Sequence, residues 1–210
     1  APPLVFSKTP GPGSVTSLTN IAITFSKPVL GIGAADLLVN GAVATGLSGS
    51  GSNYIFSFPQ PAYGAVSITW ASGHGIADVF TPPVAFNTNS AGANWQYTLL
   101  DVMPPALAAI DPVPGSTLAA LTSVSVTFSE TVLGVTASDL LINSVAATTV
   151  TGSGTGPYTF SFAQPTPGAV QLSWAAGHGI VDTAGNAFAG GSWSYMIDPN
   201  ATGIVISEIM

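Results

Sequence analysis

The sequence has 210 residues and very few charges: Lys8 and Lys27 are its only basic residues, and the formal net charge is −7. Phosphate backbones are bound by clustered Lys and Arg, so this composition excludes nucleic acid as a partner. A basic membrane-surface patch is excluded for the same reason. No apolar run approaches the ~20 residues of a membrane-spanning helix. Because there is no cysteine, disulfides and thiolate metal sites are excluded as well.

A long internal repeat organises the chain. Residues 60–78 read QPAYGAVSITWASGHGIAD, and residues 164–182 read QPTPGAVQLSWAAGHGIVD. A match of this length indicates one module used twice. Proline pairs at positions 2–3 and 104–105 open the two copies and are typical of short stiff connectors. We therefore predict one domain over residues 1–103, a second over 104–200, and an extra strand or the start of a following module over 201–210.

Period-2 alternation predicts strands at matching places in both copies. The alternating apolar or aromatic positions are Ile21, Ile23 and Phe25; Tyr54, Phe56 and Phe58; Val66, Ile68 and Trp70; Val124, Val126 and Phe128; Tyr158, Phe160 and Phe162; and Val170, Leu172 and Trp174. A closing strand carries Trp95 and Tyr97, or Trp193 and Tyr195, and Asn40-Gly41 is a hairpin signal. Six to seven short strands per copy, without helical periodicity, predict an all-β fold of antiparallel β-sandwiches.

The most informative difference between the copies lies in one connection. Between Asp78 and Trp95 the first copy has sixteen residues, whereas the second has ten between Asp182 and Trp193. A connection that tolerates six extra residues is expected to be a surface loop.

The C-terminal segment, residues 203–210 with the sequence GIVISEIM, belongs to neither copy. It alternates like a strand, and alone it would be an unpaired edge. We expect it to pair with a neighbouring module or subunit by β-augmentation through Ile204, Ile206 and Ile209. The chain begins in a Pro-rich segment with no signal-peptide pattern, so we expect a mature or excised piece.

Several motifs resemble the bacterial Ig-like repeat of S-layer and other secreted surface proteins. The motifs are Pro114-Gly115-Ser116, VTFSETV over residues 126–132, Tyr158, GIVDTAGN over 179–186, and Trp193-Ser194-Tyr195. The resemblance covers both copies, although VFTP replaces the D-x-A-G-N turn after Asp78. It implies two tandem Ig-like antiparallel β-sandwiches of about seven strands each, on the outside of a cell and usually without catalysis. The ending VISEIM resembles the opening strand of lamin-tail-like modules.

The two histidines, His74 and His178, each lie in a G-H-G-I-x-D motif. A His–Asp dyad or metal pair is one interpretation, but metal sites usually need three or four ligands and no third one is nearby. We therefore favour a structural Gly-His-Gly turn that caps the Trp strand. Repetition in both domains supports this interpretation, because catalytic sites are seldom duplicated in tandem.

Isolated carboxylates offer little other chemistry. Asp182 and Asn186 could hold calcium through their oxygens, but such sites usually gather several carboxylates, and an Asx-turn explains the same residues. Asp36 and Asp139 precede apolar strands and are interpreted as turn or cap residues, not as a glycosidase pair. No nucleophile elbow or phosphate-binding loop occurs. No catalytic residue, metal or cofactor is therefore predicted.

Three functions remain as hypotheses. The first is a non-catalytic spacer, or a subunit of an extracellular lattice or fibre, that associates with itself or with neighbouring modules. The second is an adhesin or glycan-binding module whose loop 79–94 presents Phe80 or Phe86. The third is an accessory segment of a larger surface enzyme. The four tryptophans could stack on sugars, but their alternation favours core packing. The sparse charge favours an extracellular or cell-surface location.

Overall fold

The computed structural model describes residues 1–201, and these residues form two compact units. The division between the units falls between Asp101 and Val102, close to the boundary that the sequence places near Met103. Among the described residues, no helix is long and apolar enough to cross a membrane. The expected pairing of residues 203–210 lies outside the part of the chain that the structure describes.

The first unit is built almost entirely from strands. Its elements are β1 Val5–Thr9, β2 Gly13–Val15, β3 Asn20–Phe25, β4 Val29–Leu30, β5 Leu37–Val39, β6 Ala42–Val43, β7 Gly46–Ser50, β8 Asn53–Ser57, β9 Gly64–Trp70, β10 Ala77–Asp78 and β11 Trp95–Leu99, with one 3-10 turn at Ala34–Asp36.

The second unit repeats this order. Its elements are β12 Leu107–Asp111, β13 Thr117–Leu118, β14 Ser123–Phe128, β15 Val132–Leu133, β16 Leu140–Ile142, β17 Val145–Ala146, β18 Thr149–Thr151, β19 Tyr158–Ser161, β20 Gly168–Trp174, β21 Val181–Asp182 and β22 Ser192–Ile197, with a 3-10 turn at Ala137–Asp139.

The strands of each unit form a β-sandwich. In the first unit a four-stranded sheet in the order β1-β3-β8-β7 faces a five-stranded sheet in the order β2-β11-β9-β5-β6, and β10 and β4 form a small separate pair. The second unit has the same three sheets with the same order of corresponding strands. The prediction of an all-β chain of tandem sandwiches is therefore confirmed.

The number of strands differs from the prediction of about seven per unit. Each unit has eleven strands among the described residues, because several edges are broken into short pieces. Pro10 and Pro12 interrupt the first strand, since proline lacks the N–H that a ladder needs. The chain consequently passes from β1 in one sheet to β2 in the other.

The core of each sandwich consists of the alternating residues that the sequence indicates. In the first unit, residues such as Ile21, Ile23 and Phe56 are buried from one sheet, and Val66, Ile68 and Tyr97 are buried from the other. The second unit buries the corresponding residues in a cluster of its own. Each unit therefore has the complete hydrophobic core that an independently folding domain requires.

Most ladders are antiparallel, but the second and last strands of each unit pair in parallel. In the first unit β2 lies beside β11, with Gly13 opposite Tyr97 and Val15 opposite Leu99. In the second unit β13 lies beside β22 in the same way. Two parallel neighbours start at the same end, so the chain enters each unit at one end and leaves it at the other.

A buried tyrosine fastens the kink between β1 and β2 to the last strand. The hydroxyl of Tyr97 donates to the carbonyl oxygen of Pro10 at 2.7 Å, and the hydroxyl of Tyr195 donates to that of Pro112. Burial raises the pKa of both phenols, so they stay protonated and remain donors at neutral pH. The start of each unit is thus tied to its last strand by a side chain as well as by the backbone ladder.

Two turn predictions are confirmed by local geometry. Asn40 and Gly41 join β5 to β6 with φ angles of 49° and 82°, which a two-residue type I′ hairpin requires. Asp36 and Asp139 each accept a hydrogen bond from the backbone N–H three residues earlier, at 2.7 and 2.6 Å. Both carboxylates therefore act as caps of the 3-10 turns that lead into β5 and β16.

The repeated Gly-His-Gly turn allows two backbones to approach closely. Gly31 follows β4 with a φ of +71°, and a Cβ placed there would overlap the carbonyl of Gly75. In the second unit Gly134, with a φ of +80°, stands in the same relation to Gly179. Only glycine combines a positive φ with the absence of a side chain, so the spacing of these glycines is explained by packing.

Candidate interaction sites

The most polar buried position in the first unit is Asp78, whose carboxylate is 2% exposed. Its Oδ1 accepts the N–H of Val84 at 2.9 Å and that of Phe80 at 3.4 Å, and Lys27 Nζ lies 3.2 Å from its Oδ2. The hydrogen bond from Val84, together with those from Lys27 and Phe80 and the charge of Lys27, holds the pKa of Asp78 below its usual range, although burial opposes the charged form. The buried carboxylate therefore has its hydrogen bonds and an opposite charge within the unit, and it anchors the start of loop 79–94.

Asp182 holds the corresponding position in the second unit, and the structure does bring it together with Asn186. The Oδ1 of Asp182 accepts the backbone N–H groups of Ala184 and Asn186, both at 2.8 Å, and its Oδ2 accepts Asn186 Nδ2 at 2.7 Å. Burial alone would raise the pKa of Asp182, but the hydrogen bonds from Asn186 and Ala184 outweigh it and lower the pKa. The two residues form a closed Asx-type turn, and calcium at this turn stays the less favoured alternative.

The residue that faces this aspartate differs between the units. Lys27 is replaced by Glu130 in the second copy, and the carboxylate oxygens of Glu130 and Asp182 lie within 4.8 Å of one another. Sequence reasoning missed both neighbours, because they are about fifty residues away along the chain. The exchange of Lys27 for Glu130 at aligned positions was the only signal that could have revealed them.

We expect the stability of the first unit to fall at low pH through Asp78. The folded pKa is depressed, so the stabilisation is fully present above the unfolded value of about 3.9 and is lost as the pH falls through the folded pKa. Thermal unfolding of the parent and of Asp78→Asn should be compared from pH 7 to pH 2. The parent should melt higher near neutrality, and the difference should shrink below about pH 4. A difference that stays constant down to pH 2 would show that the carboxylate contributes nothing through its charge.

Each histidine ring packs against a phenylalanine of its own unit. The His74 ring lies 5.6 Å from that of Phe86, and its Nδ1 accepts the N–H of Ile76 at 3.3 Å. The His178 ring lies 5.5 Å from that of Phe188. Both aspartates of the motif instead bond to the loops that follow them. These contacts support the structural interpretation of the Gly-His-Gly turn.

The two aromatic candidates for ligand contact in loop 79–94 differ in exposure. Phe80 is 61% exposed, and Lys27 Nζ lies 5.2 Å from the centre of its ring. Phe86 is only 3% exposed and packs edge-on against Trp70 and Phe25. The prediction of Phe86 as a surface contact is wrong, because the loop folds back and its Phe86 ring fills the end of the core.

The four tryptophans pack into the cores, as their alternation indicates. Each is less than 10% exposed. The longer loop of the first unit also supplies a hydrogen bond, since Trp70 Nε1 donates to the carbonyl of Ala93 at 2.8 Å. Stacking of these rings on a sugar is therefore ruled out in the folded units.

Each unit also carries an apolar groove that sequence reasoning missed. In the first unit the groove has a volume of about 290 Å³ and lies between the β5–β6 hairpin, at Val39 and Val43, and the segment after β8, at Phe58 and Pro61. The second unit has a groove of about 250 Å³ at the matching place, lined by Ile142, Val145, Phe162 and Pro165 among others. Neither lining contains a charged side chain. A groove between residues twenty positions apart cannot be read from alternation alone.

Comparison with known proteins adds only distant similarities. No family model matches the chain, and no curated protein matches it. Among solved structures it is similar to immunoglobulin domains 1–4 of Sidekick-1, with 13% identity over 94% of this chain and 49% of that chain and a TM-score of 0.35. It is also similar to the fibronectin(III)-like modules of Clostridium thermocellum CbhA, with 14% identity over 96% and 97% of the two chains and a TM-score of 0.28.

A third similarity is to dimeric latent PorU from Porphyromonas gingivalis, with 10% identity, a TM-score of 0.32, and coverage of 94% of this chain and 20% of that chain. The chain thus spans about half the length of the Sidekick-1 chain. At these TM-scores the similarities carry no conclusion about function. The sandwich architecture rests on the strands and sheets of the chain itself.

Proposed function

We propose that this chain is a non-catalytic pair of Ig-like modules that acts as a spacer in a bacterial secreted or cell-surface protein, or as a subunit of an extracellular lattice or fibre. The observation that carries the proposal is the parallel pairing of β2 with β11 and of β13 with β22. Because the chain enters and leaves each unit at opposite ends, a pull on the chain loads these ladders along their length.

The site chemistry agrees with a passive role. The buried carboxylates of Asp78 and Asp182 are used by the loops that follow them, and each histidine ring packs against a phenylalanine. The bacterial surface setting is supported by the motif resemblance and by the sparse charge, which gives little long-range repulsion between neighbouring chains.

Single-molecule pulling tests the proposal. With handles at the two ends, the chain should show two separate unfolding steps, each releasing roughly 330–360 Å of chain for a unit of about 100 residues. Smooth extension without steps would overturn the spacer function, because the units would then bear no load.

A second candidate function is favoured by the exposure of Phe80. This ring, with Lys27 beside it, is an aromatic surface of the kind that stacks on sugars. Screening on a glycan array, with Phe80→Ser as the matched variant, decides between the two. Binding that the substitution abolishes would replace the spacer by an adhesin or carbohydrate-binding function, and absence of binding would leave the spacer.

A further inference from the structure

Strand β7 is an open sheet edge that lacks the usual protection. One side of β7 pairs with β8, and the ladder runs from the pair Gly46 and Ser57 to the pair Ser50 and Asn53. Among the described residues, no other strand pairs with the second side of β7. An open edge presents backbone N–H and C=O groups that can pair with another strand. Natural proteins shield such edges with charges, prolines, bulges or very short strands.

The other three edges of the two larger sheets of the first unit carry these protections. Strand β1 contains Lys8, has a bulge between Val5 and Ser7, and is followed by Pro10. Strands β2 and β6 have only three and two residues. Strand β7 has five residues, with the sequence GLSGS, and contains neither charge nor proline. Among the edges of this unit, β7 is therefore the one most open to an added strand.

The apolar groove of the first unit lies at the start of this edge. Phe58, which lines the groove, follows directly after Ser57, the partner of Gly46 in the first pair of β7. Val43, on the opposite wall, lies three residues before β7 and is 53% exposed. An open edge beside an apolar pocket has the two parts that β-strand addition uses, backbone hydrogen bonds for affinity and a pocket for a side chain.

The chain itself contains a segment with the matching chemistry. The units correspond strand for strand, and the first sandwich is complete without any counterpart of residues 203–210. This segment, GIVISEIM, alternates, contains no proline, and carries Glu208 as its single charge. Its isoleucines suit a groove without charged lining, and nothing in β7 repels it.

We propose that residues 203–210 of one copy add as a strand to β7 of a second copy and place an isoleucine side chain in the groove beside Val43 and Phe58. The donor and acceptor surfaces are different parts of the chain, so the contact is heterologous and repeats from copy to copy in a ring or an open chain. The inference rests on the proposed structural function and names the contact that would build the array.

The test compares the mass of four proteins by light scattering after size exclusion over a range of concentrations. They are the full chain, a chain ending at Ala201, and the full-length variants Ser48→Lys and Gln96→Lys. Ser48 is exposed on the edge strand β7, whereas Gln96 is exposed on β11, which lies between two other strands. The two lysines therefore add the same charge, one at the edge and the other inside a sheet. Circular dichroism confirms that each protein is folded.

The full chain and Gln96→Lys should grow in mass with concentration, while the shortened chain and Ser48→Lys should require at least a tenfold higher concentration for the same growth. A synthetic peptide of residues 203–210 should bind the shortened chain, and the same peptide with Ile204→Lys and Ile206→Lys should not. Equal association of the shortened and full chains would overturn the donor assignment. Association of Ser48→Lys that equals the parent's would overturn the acceptor.

A full chain that is monomeric at every concentration would overturn the whole inference. Its two unfolding steps under force would be unaffected, so that result would leave the spacer function standing. Loss of the unfolding steps, with association intact, would overturn the spacer function and leave the strand contact standing.

Discussion

Phe56→Ala should destabilise the first unit by about 3–5 kcal/mol and leave the second unit unchanged. Phe56 is completely buried and packs edge-on against Trp70 with ring centroids 5.9 Å apart. Its removal leaves a large cavity in a core that shares none of its buried residues with the core of the second unit. In calorimetry, one unfolding transition should move down by roughly 12 °C or more while the other stays in place.

Phe160→Ala is the matched control. Phe160 occupies the equivalent position, is also completely buried, and lies 5.7 Å from Trp174. It should lower the other transition by a similar amount, and the double variant should show the sum of the two effects. Movement of both transitions in either single variant would mean that the chain unfolds as one cooperative body, contrary to the assignment of two modules.

Gly31→Ala should destabilise the first unit by about 3 kcal/mol or more, because two penalties add at this position. The left-handed backbone alone costs about 1–2 kcal/mol for a residue with a Cβ. The added methyl would in addition overlap the carbonyl of Gly75, so the backbone of the Gly-His-Gly turn would have to move. Chemical denaturation with both unfolding transitions resolved measures the loss.

Gly41→Ala separates the two causes. Gly41 also has a positive φ, +82°, but a Cβ there would meet no atom within 4 Å. This variant should lose only the cost of the left-handed backbone, about 1–2 kcal/mol. If Gly31→Ala and Gly41→Ala were equally destabilising, the close approach of the two backbones would not be the reason why this glycine spacing recurs in both copies.

The sequence was sufficient for the framework because the strands obey period 2. Alternation identified Ile21, Ile23 and Phe25 as one buried face, and Asn40-Gly41 identified a hairpin that the structure contains. The number of strands was underestimated, since short edge pieces such as β4 and β10 have only two residues each. Two residues are too few to show a period.

The candidate sites were harder to predict, because their members meet only after folding. Lys27 is 51 positions from Asp78 and pairs with it, and Phe86 leaves the surface because loop 79–94 turns inward over the core. The groove and the open edge of β7 arise from the order of strands in the sheets. Strand β7 has neither charge nor proline, so no local pattern marks it as an edge.

The most direct test of the spacer account is to pull the first unit in two geometries. The chain has no cysteine, so introduced thiols give unique attachment points. Handles at Gly11→Cys and Val102→Cys pull β2 and β11 from opposite ends, and a side chain at Gly11 would meet no atom within 4 Å. Handles at Thr16→Cys and Val102→Cys pull the same two strands from one end.

The first geometry shears all the hydrogen bonds of the ladder together, whereas the second peels them apart one after another. If the chain is a load-bearing spacer, the rupture force should be clearly higher for the Gly11–Val102 pair than for the Thr16–Val102 pair. Equal forces in the two geometries would contradict the spacer function, because the parallel pairing of β2 with β11 would then not be what carries the load.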